Sequence, residues 1–159
     1  MRSIPSWCTV AVLLALVSPV AAPGQTIHVG AGLGPTEILE GEGDNEENVM
    51  GFVGIELPAL PLGFRLEGNE TAGLFLLTGN VTLSTPSQGR FIRTYLVAGA
   101  GAAIDTDEAE TEINGGAGLA IPLLPILHLF AEARVHHLLD SRRSQTTFLP
   151  ITFGLRIGI

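Results

Sequence analysis

The chain closes on Phe148-Leu149-Pro150-Ile151-Thr152-Phe153-Gly154-Leu155-Arg156-Ile157-Gly158-Ile159. Leu149, Ile151, Phe153, Leu155, Ile157 and Ile159 share one parity, and Thr152, Gly154, Arg156 and Gly158 share the other. That is the alternation of a β-strand with one wholly apolar face. A tilted strand of roughly 9 to 11 residues crosses the hydrocarbon layer of a bilayer, and this segment has that length. With Leu155 turned to lipid, Arg156 must turn to the inside of a closed sheet.

The composition agrees with such a sheet. The 159 residues make one domain. A mean hydropathy of +0.41 with 15% charged residues is too apolar for an ordinary water-facing surface. Yet after the N-terminal segment no run reaches the 18 or so apolar residues of a membrane helix. Apolar residues spread by alternation suit a transmembrane barrel, since lipid offers no partners to backbone N–H and C=O groups. The formal charge is −8, and every basic residue is Arg. Such a chain repels nucleic acid, and the absence of Lys argues against the charged exterior of a soluble barrel.

Residues 1–22 read as a secretory leader: Arg2 is the positive start, Val10 to Val17 the apolar run, and Val20-Ala21-Ala22 a small-residue cleavage site. Ala22-Pro23-Gly24 offers a second cut, so cleavage falls between 22 and 25 and leaves 23–159 as the barrel domain. Cys8, the only cysteine, departs with the leader, and the mature chain forms no disulfide.

Eight alternating segments follow, over 27–33, 49–57, 62–68, 74–84, 91–104, 113–121, 127–137 and 148–159. They predict an all-β fold, an eight-stranded antiparallel up-and-down transmembrane barrel. The connections after the second, fourth and sixth segments are short and proline-bearing; the others are polar and mostly longer. That asymmetry predicts periplasmic turns on one rim and extracellular loops on the other. Both acidic clusters, between Glu37 and Glu47 and between Asp105 and Glu112, then fall on the outer rim.

The mature chain resembles the small bacterial outer-membrane β-barrel domain family of OmpA/OmpX size. The resemblance rests on Leu96-Val-Ala-Gly-Ala-Gly101, on Phe130-Ala-Glu-Ala-Arg-Val-His-His137 and on the Leu149-to-Arg156 ending, which is similar to the C-terminal signal of such barrels. Ile159 replaces the usual terminal aromatic, and Tyr95 is the sole Tyr or Trp of the mature chain. The resemblance implies residence in the bacterial cell outer membrane, contact with its lipid, and recognition of the last strand by the barrel-assembly machinery. It implies neither a cofactor nor an enzymatic activity.

Arg65, Glu67, Glu132, Arg134 and Arg156 share the non-apolar parity of their strands, with Glu56 a further candidate. In a narrow lumen such charges must pair, so these residues predict an internal ion-pair network. Asp105, Asp107, Glu108, Glu110 and Glu112 form a weak candidate divalent-cation site, since the run lacks the Gly and Glu of an EF-hand loop. His136, His137 and Ser141 invite comparison with barrel-borne lipid A deacylases. There His and Ser stand two residues apart; here Ser141 follows His137 by four, so the reading is of no catalytic residues. A structural or surface-interaction barrel without an open pore is the leading reading. A soluble secreted barrel for an apolar ligand and a lipid-modifying barrel enzyme are the alternatives.

Overall fold

The computed structural model describes residues 26–40, 46–57, 60–71, 73–85, 92–105, 109–139 and 147–158. The proposed leader lies outside them. Eight strands follow one another: β1 (Thr26–Glu40), β2 (Glu46–Glu56), β3 (Leu62–Thr71), β4 (Leu74–Ser84), β5 (Arg93–Ile104), β6 (Ala109–Pro122), β7 (Leu127–Leu139) and β8 (Thr147–Gly158). Each is antiparallel to the next, and β8 pairs back onto β1, so the sheet closes with no edge. An open edge would leave a row of backbone donors and acceptors unpaired. The rim where β1 begins is here called the lower rim, and the one where it ends the upper rim.

Parity is as the sequence pattern requires. Leu33, Phe64, Leu66, Leu77, Val81, Leu96, Leu129, Phe153 and Leu155 stand exposed on the outside, while the charged and polar residues of the opposite parity are buried. The strand ends are where the fold departs from expectation. β1 runs past Leu33 through Pro35 to Glu40, and β6 begins at Ala109, not at Ile113. β3 continues to Thr71, and β4 starts at Leu74 after Gly73, whose φ of 68° is a left-handed value that suits a glycine in a tight turn. These extensions are mostly polar, Ile38 and Leu39 of β1 apart. A change from apolar to polar residues ends an apolar belt, but a hairpin ladder continues for as long as both arms can pair. Residues expected in the acidic loops, among them Glu37, Glu40, Glu46, Glu47, Glu110 and Glu112, therefore lie on strands.

An eight-stranded interior is just wide enough for side chains to fill it, and here large and small inward residues alternate around it. The Phe52 ring lies over Gly30, Phe130 over Gly32 and Gly154, Tyr95 over Gly118, and the Arg134 stem over Gly116. Phe52 and Phe130 meet edge to face at 5.6 Å. They belong to a lower apolar cluster with Met50, Tyr95 and Ala120. Leu74, Leu76, Ala103, Leu138 and Phe148 form a second one.

The β1–β8 seam is irregular. Pairing passes from Leu33↔Phe153 to Thr36↔Pro150 in unchanged register, skipping Gly34 and Pro35, and the register shifts between Ile38 and Glu40. Pro35 has no N–H to donate across this gap. Asn48 of β2 fills the gap: its amide donates to the carbonyls of Pro35 (3.1 Å) and Ile151 (3.4 Å), and it accepts from the Thr152 hydroxyl at 2.8 Å.

Gly118→Val places a branched side chain where the Tyr95 ring lies and is expected to cost about 1–3 kcal/mol. Gly79→Ala, where an added Cβ meets nothing within 4 Å, is expected to be neutral or to stabilise by up to about 1 kcal/mol. Urea titration of the refolded barrel compares the two.

Candidate functional site

The lumen holds three groups of charged residues, each on inward positions that strand alternation dictates. In the central group Arg65 of β3 makes a two-pronged contact with Glu132 of β7, at 3.0 and 2.8 Å. Its Nη2 also lies 2.9 Å from Glu67. Arg134 of β7 reaches Glu132 through Nε at 2.6 Å and Glu67 through Nη2. The Tyr95 hydroxyl donates to Glu132 at 2.7 Å. Two guanidinium groups and two carboxylates thus alternate around a ring and neutralise one another. The Arg65 guanidinium also rests 4.6 Å above the Phe52 ring, a cation–π contact. Arg134 further faces Asn80 and Asn114, each at 3.4 Å. Four of the five residues expected to form the internal network are brought together here.

Arg156 is not among them. It lies lower, where its Nη1 is 3.4 Å from Glu56. The same carboxylate accepts from Arg93 at 2.6 Å and stands 3.3 Å from His28 Nε2. Arg93 is the residue that parity analysis missed, because the start of β5 is rich in residues of similar size on both faces. The signal was present in sequence, since Arg93 and Tyr95 share a parity.

The upper group corrects one expectation. Glu112 is not a solvated loop acid: it is fully buried on β6, 2.6 Å from His136 Nδ1. The His136 ring stacks on Phe148, with centroids 5.4 Å apart and planes 7° from parallel. β6 begins early enough that the parity of the strand, which turns Asn114 inward, turns Glu112 inward as well. Asp105 is exposed and Glu110 half-buried, while Asp107 and Glu108 lie outside the described residues. Among the described residues no three metal-binding side chains converge.

His137 is on the outer parity and meets the Thr147 hydroxyl at 2.9 Å, while that hydroxyl donates to Glu40 at 2.6 Å. The hydroxyl lies between imidazole and carboxylate. A nucleophile relay needs the imidazole in the middle, so these three do not form one. Ser141 lies outside the described residues. On the outer wall, a shallow trough of about 650 Å³ runs past Leu83, Leu96, Ala117, Leu119, Ala133 and Ile151, where small residues of β6 and β7 sit between larger ones.

No family model matches the sequence, and no curated relative matches it. The fold is that of solved small outer-membrane barrels. The N-terminal β-barrel domain of Pseudomonas aeruginosa OprF aligns at 16% identity over 86% of this chain and 98% of its own, with a TM-score of 0.63. A major outer membrane protein from Thermus thermophilus aligns at 16% identity over 85% of this chain and 99% of its own, also at 0.63. Neisserial surface protein A aligns at 11% over 86% and 98%, at 0.61.

Glu132 touches three partners, so Glu132→Leu leaves two guanidinium groups under-neutralised in the lumen and is expected to cost about 3–5 kcal/mol. Tyr95→Phe removes one hydrogen bond to a charge and is expected to cost about 1.5–3 kcal/mol. Denaturant unfolding of the two variants measures both.

Proposed function

We propose that this chain is exported by a cleavable leader and spans the bacterial outer membrane as an eight-stranded barrel with a structural or surface-interaction role. The observation that carries this reading is the inversion of polarity. Leucine, valine and phenylalanine form a continuous exposed belt, while Arg, Glu, Asn and Thr are buried within. Water-soluble proteins rarely expose so large an apolar surface, and a soluble carrier of an apolar ligand requires the opposite arrangement. In this reading the belt meets outer-membrane lipid, and β8 presents the segment that the assembly machinery recognises. The lower rim, with its hydrogen-bonded turns at Leu57 to Leu62 and at Leu123 to Leu127, is periplasmic. The upper rim, carrying Glu37, Glu40, Glu46, Glu47 and Asp105, is extracellular.

The lumen supports a closed barrel. The ring of Arg65, Glu67, Glu132 and Arg134 crosses it, with apolar clusters besides. The barrel in this reading performs no catalysis and needs no cofactor.

Expressed protein is expected in the outer-membrane fraction, with different gel mobility before and after boiling; recovery as a free periplasmic monomer would refute the assignment. Phe153→Arg, at the middle of the outward row of β8, is expected to cost about 2–4 kcal/mol in bilayers, whereas Leu39→Arg, near the upper rim, is expected to cost about 0–1 kcal/mol. In planar bilayers the pure protein is expected to give no steady single-channel steps.

A further inference from the structure

The lower lumen contains cationic hydrogen-bond donors that the described residues leave without acceptors. Arg156 commits Nη1 to Glu56, and its Nε and Nη2 meet no protein acceptor; Arg65 commits both terminal nitrogens to Glu132 and Glu67, and its Nε meets none. Both side chains are more than nine-tenths buried, at 9% and 5% exposure. A guanidinium N–H in that position loses its hydration without replacement, an unfavourable state that a bound acceptor relieves. Both residues line one void of about 30 Å³, walled also by His28, Phe52, Glu56, Ser84 and Tyr95.

Charge is unevenly met around this void. Arg65 is neutralised within the central ring. Arg156 has only a share of Glu56, at 3.4 Å, because the same carboxylate holds Arg93 at 2.6 Å and faces His28 at 3.3 Å. The weakly neutralised guanidinium and the unmet donors call for the same thing, a small anion. Size restricts the choice. A void of this volume admits one or two water-sized spheres, which accommodates a monatomic halide and excludes sulfate, phosphate or a carboxylate-bearing solute. Glu56 and Arg93, whose side chains are 20% and 31% exposed, stand between the void and the lower rim.

We propose that the lower lumen holds one halide ion, chloride in ordinary salt, between the guanidinium groups of Arg156 and Arg65. The ion supplies the acceptor that neither Glu56 nor the central carboxylates provide, and completes the neutralisation of Arg156. The proposal rests on the interior alone and holds in whatever membrane the barrel resides.

Crystals of the detergent-refolded full-length barrel grown in sodium bromide test it directly. The expected result is an anomalous bromide peak between Arg156 and Arg65; a site filled only by water overturns the proposal. Thermal melting of the same protein gives a second readout. Chloride and bromide are expected to raise the melting temperature saturably above that in sodium gluconate of matched ionic strength. Arg156→Gln is expected to abolish the difference. Equal melting temperatures in halide and gluconate would mean general screening and would overturn the site, as would an undiminished halide effect in Arg156→Gln. Should the variant fail to refold, the diffraction result on the unaltered protein decides.

Discussion

Closure of the sheet is the constraint from which the rest follows. A strand left at an edge exposes backbone dipoles that neither lipid nor an apolar core can satisfy, so β8 must return to β1 and the eight strands enclose a lumen of fixed, small width. Alternation then assigns half of every strand to that lumen whether or not the residues are apolar. The composition of the inside is set by what fits, and the fit is achieved by placing aromatic rings and arginine stems over glycines of neighbouring strands.

A charged interior needs a separate explanation, because buried ion pairs gain little over apolar packing of the same volume. In a barrel with an apolar exterior, however, a fully apolar chain would leave the two faces of each strand alike, and a one-residue slip would go unpunished. Arg65, Glu67, Glu132 and Arg134 give their strands a face that cannot turn onto the apolar outer wall, so register is fixed by the cost of the wrong side. The central ring joins β3 to β7 across the lumen, and Tyr95 adds β5 to the same carboxylate. The polar interior is thus as much a specification of register as a source of stability.

The faces were legible in the sequence for a simple reason: a parity is a local property, readable from six or seven consecutive residues. Leu149, Ile151, Phe153 and Leu155 declare β8 without reference to any other strand. Strand ends were less legible, because β1 continues through Pro35 only where Asn48 of β2 gives the Ile151 carbonyl the donor that the proline lacks, which is information from elsewhere in the chain. The same holds for the site. That Arg65, Glu67, Glu132 and Arg134 face inward could be read from parity, but that Arg156 belongs with Glu56, Arg93 and His28 depends on how far each strand is staggered around the barrel. Glu112 reads as a loop acid in sequence because its acidic neighbours mask the alternation that carries it inward.

The patched seam bears on the order in which the molecule forms. Seven of the eight strand pairings join neighbours in sequence and can close as local hairpins, while β1 and β8 must meet from opposite ends of the chain, so their encounter carries the largest loop entropy and belongs late in folding. Asn48 sits on neither of those strands. It is already in place on the first hairpin, and its bonds to Ile151 and Thr152 can be made only when the last strand arrives in register. A side chain from an early-forming unit therefore acts as a latch for the final event, holding shut the stretch of the ladder that Pro35 leaves without a rung.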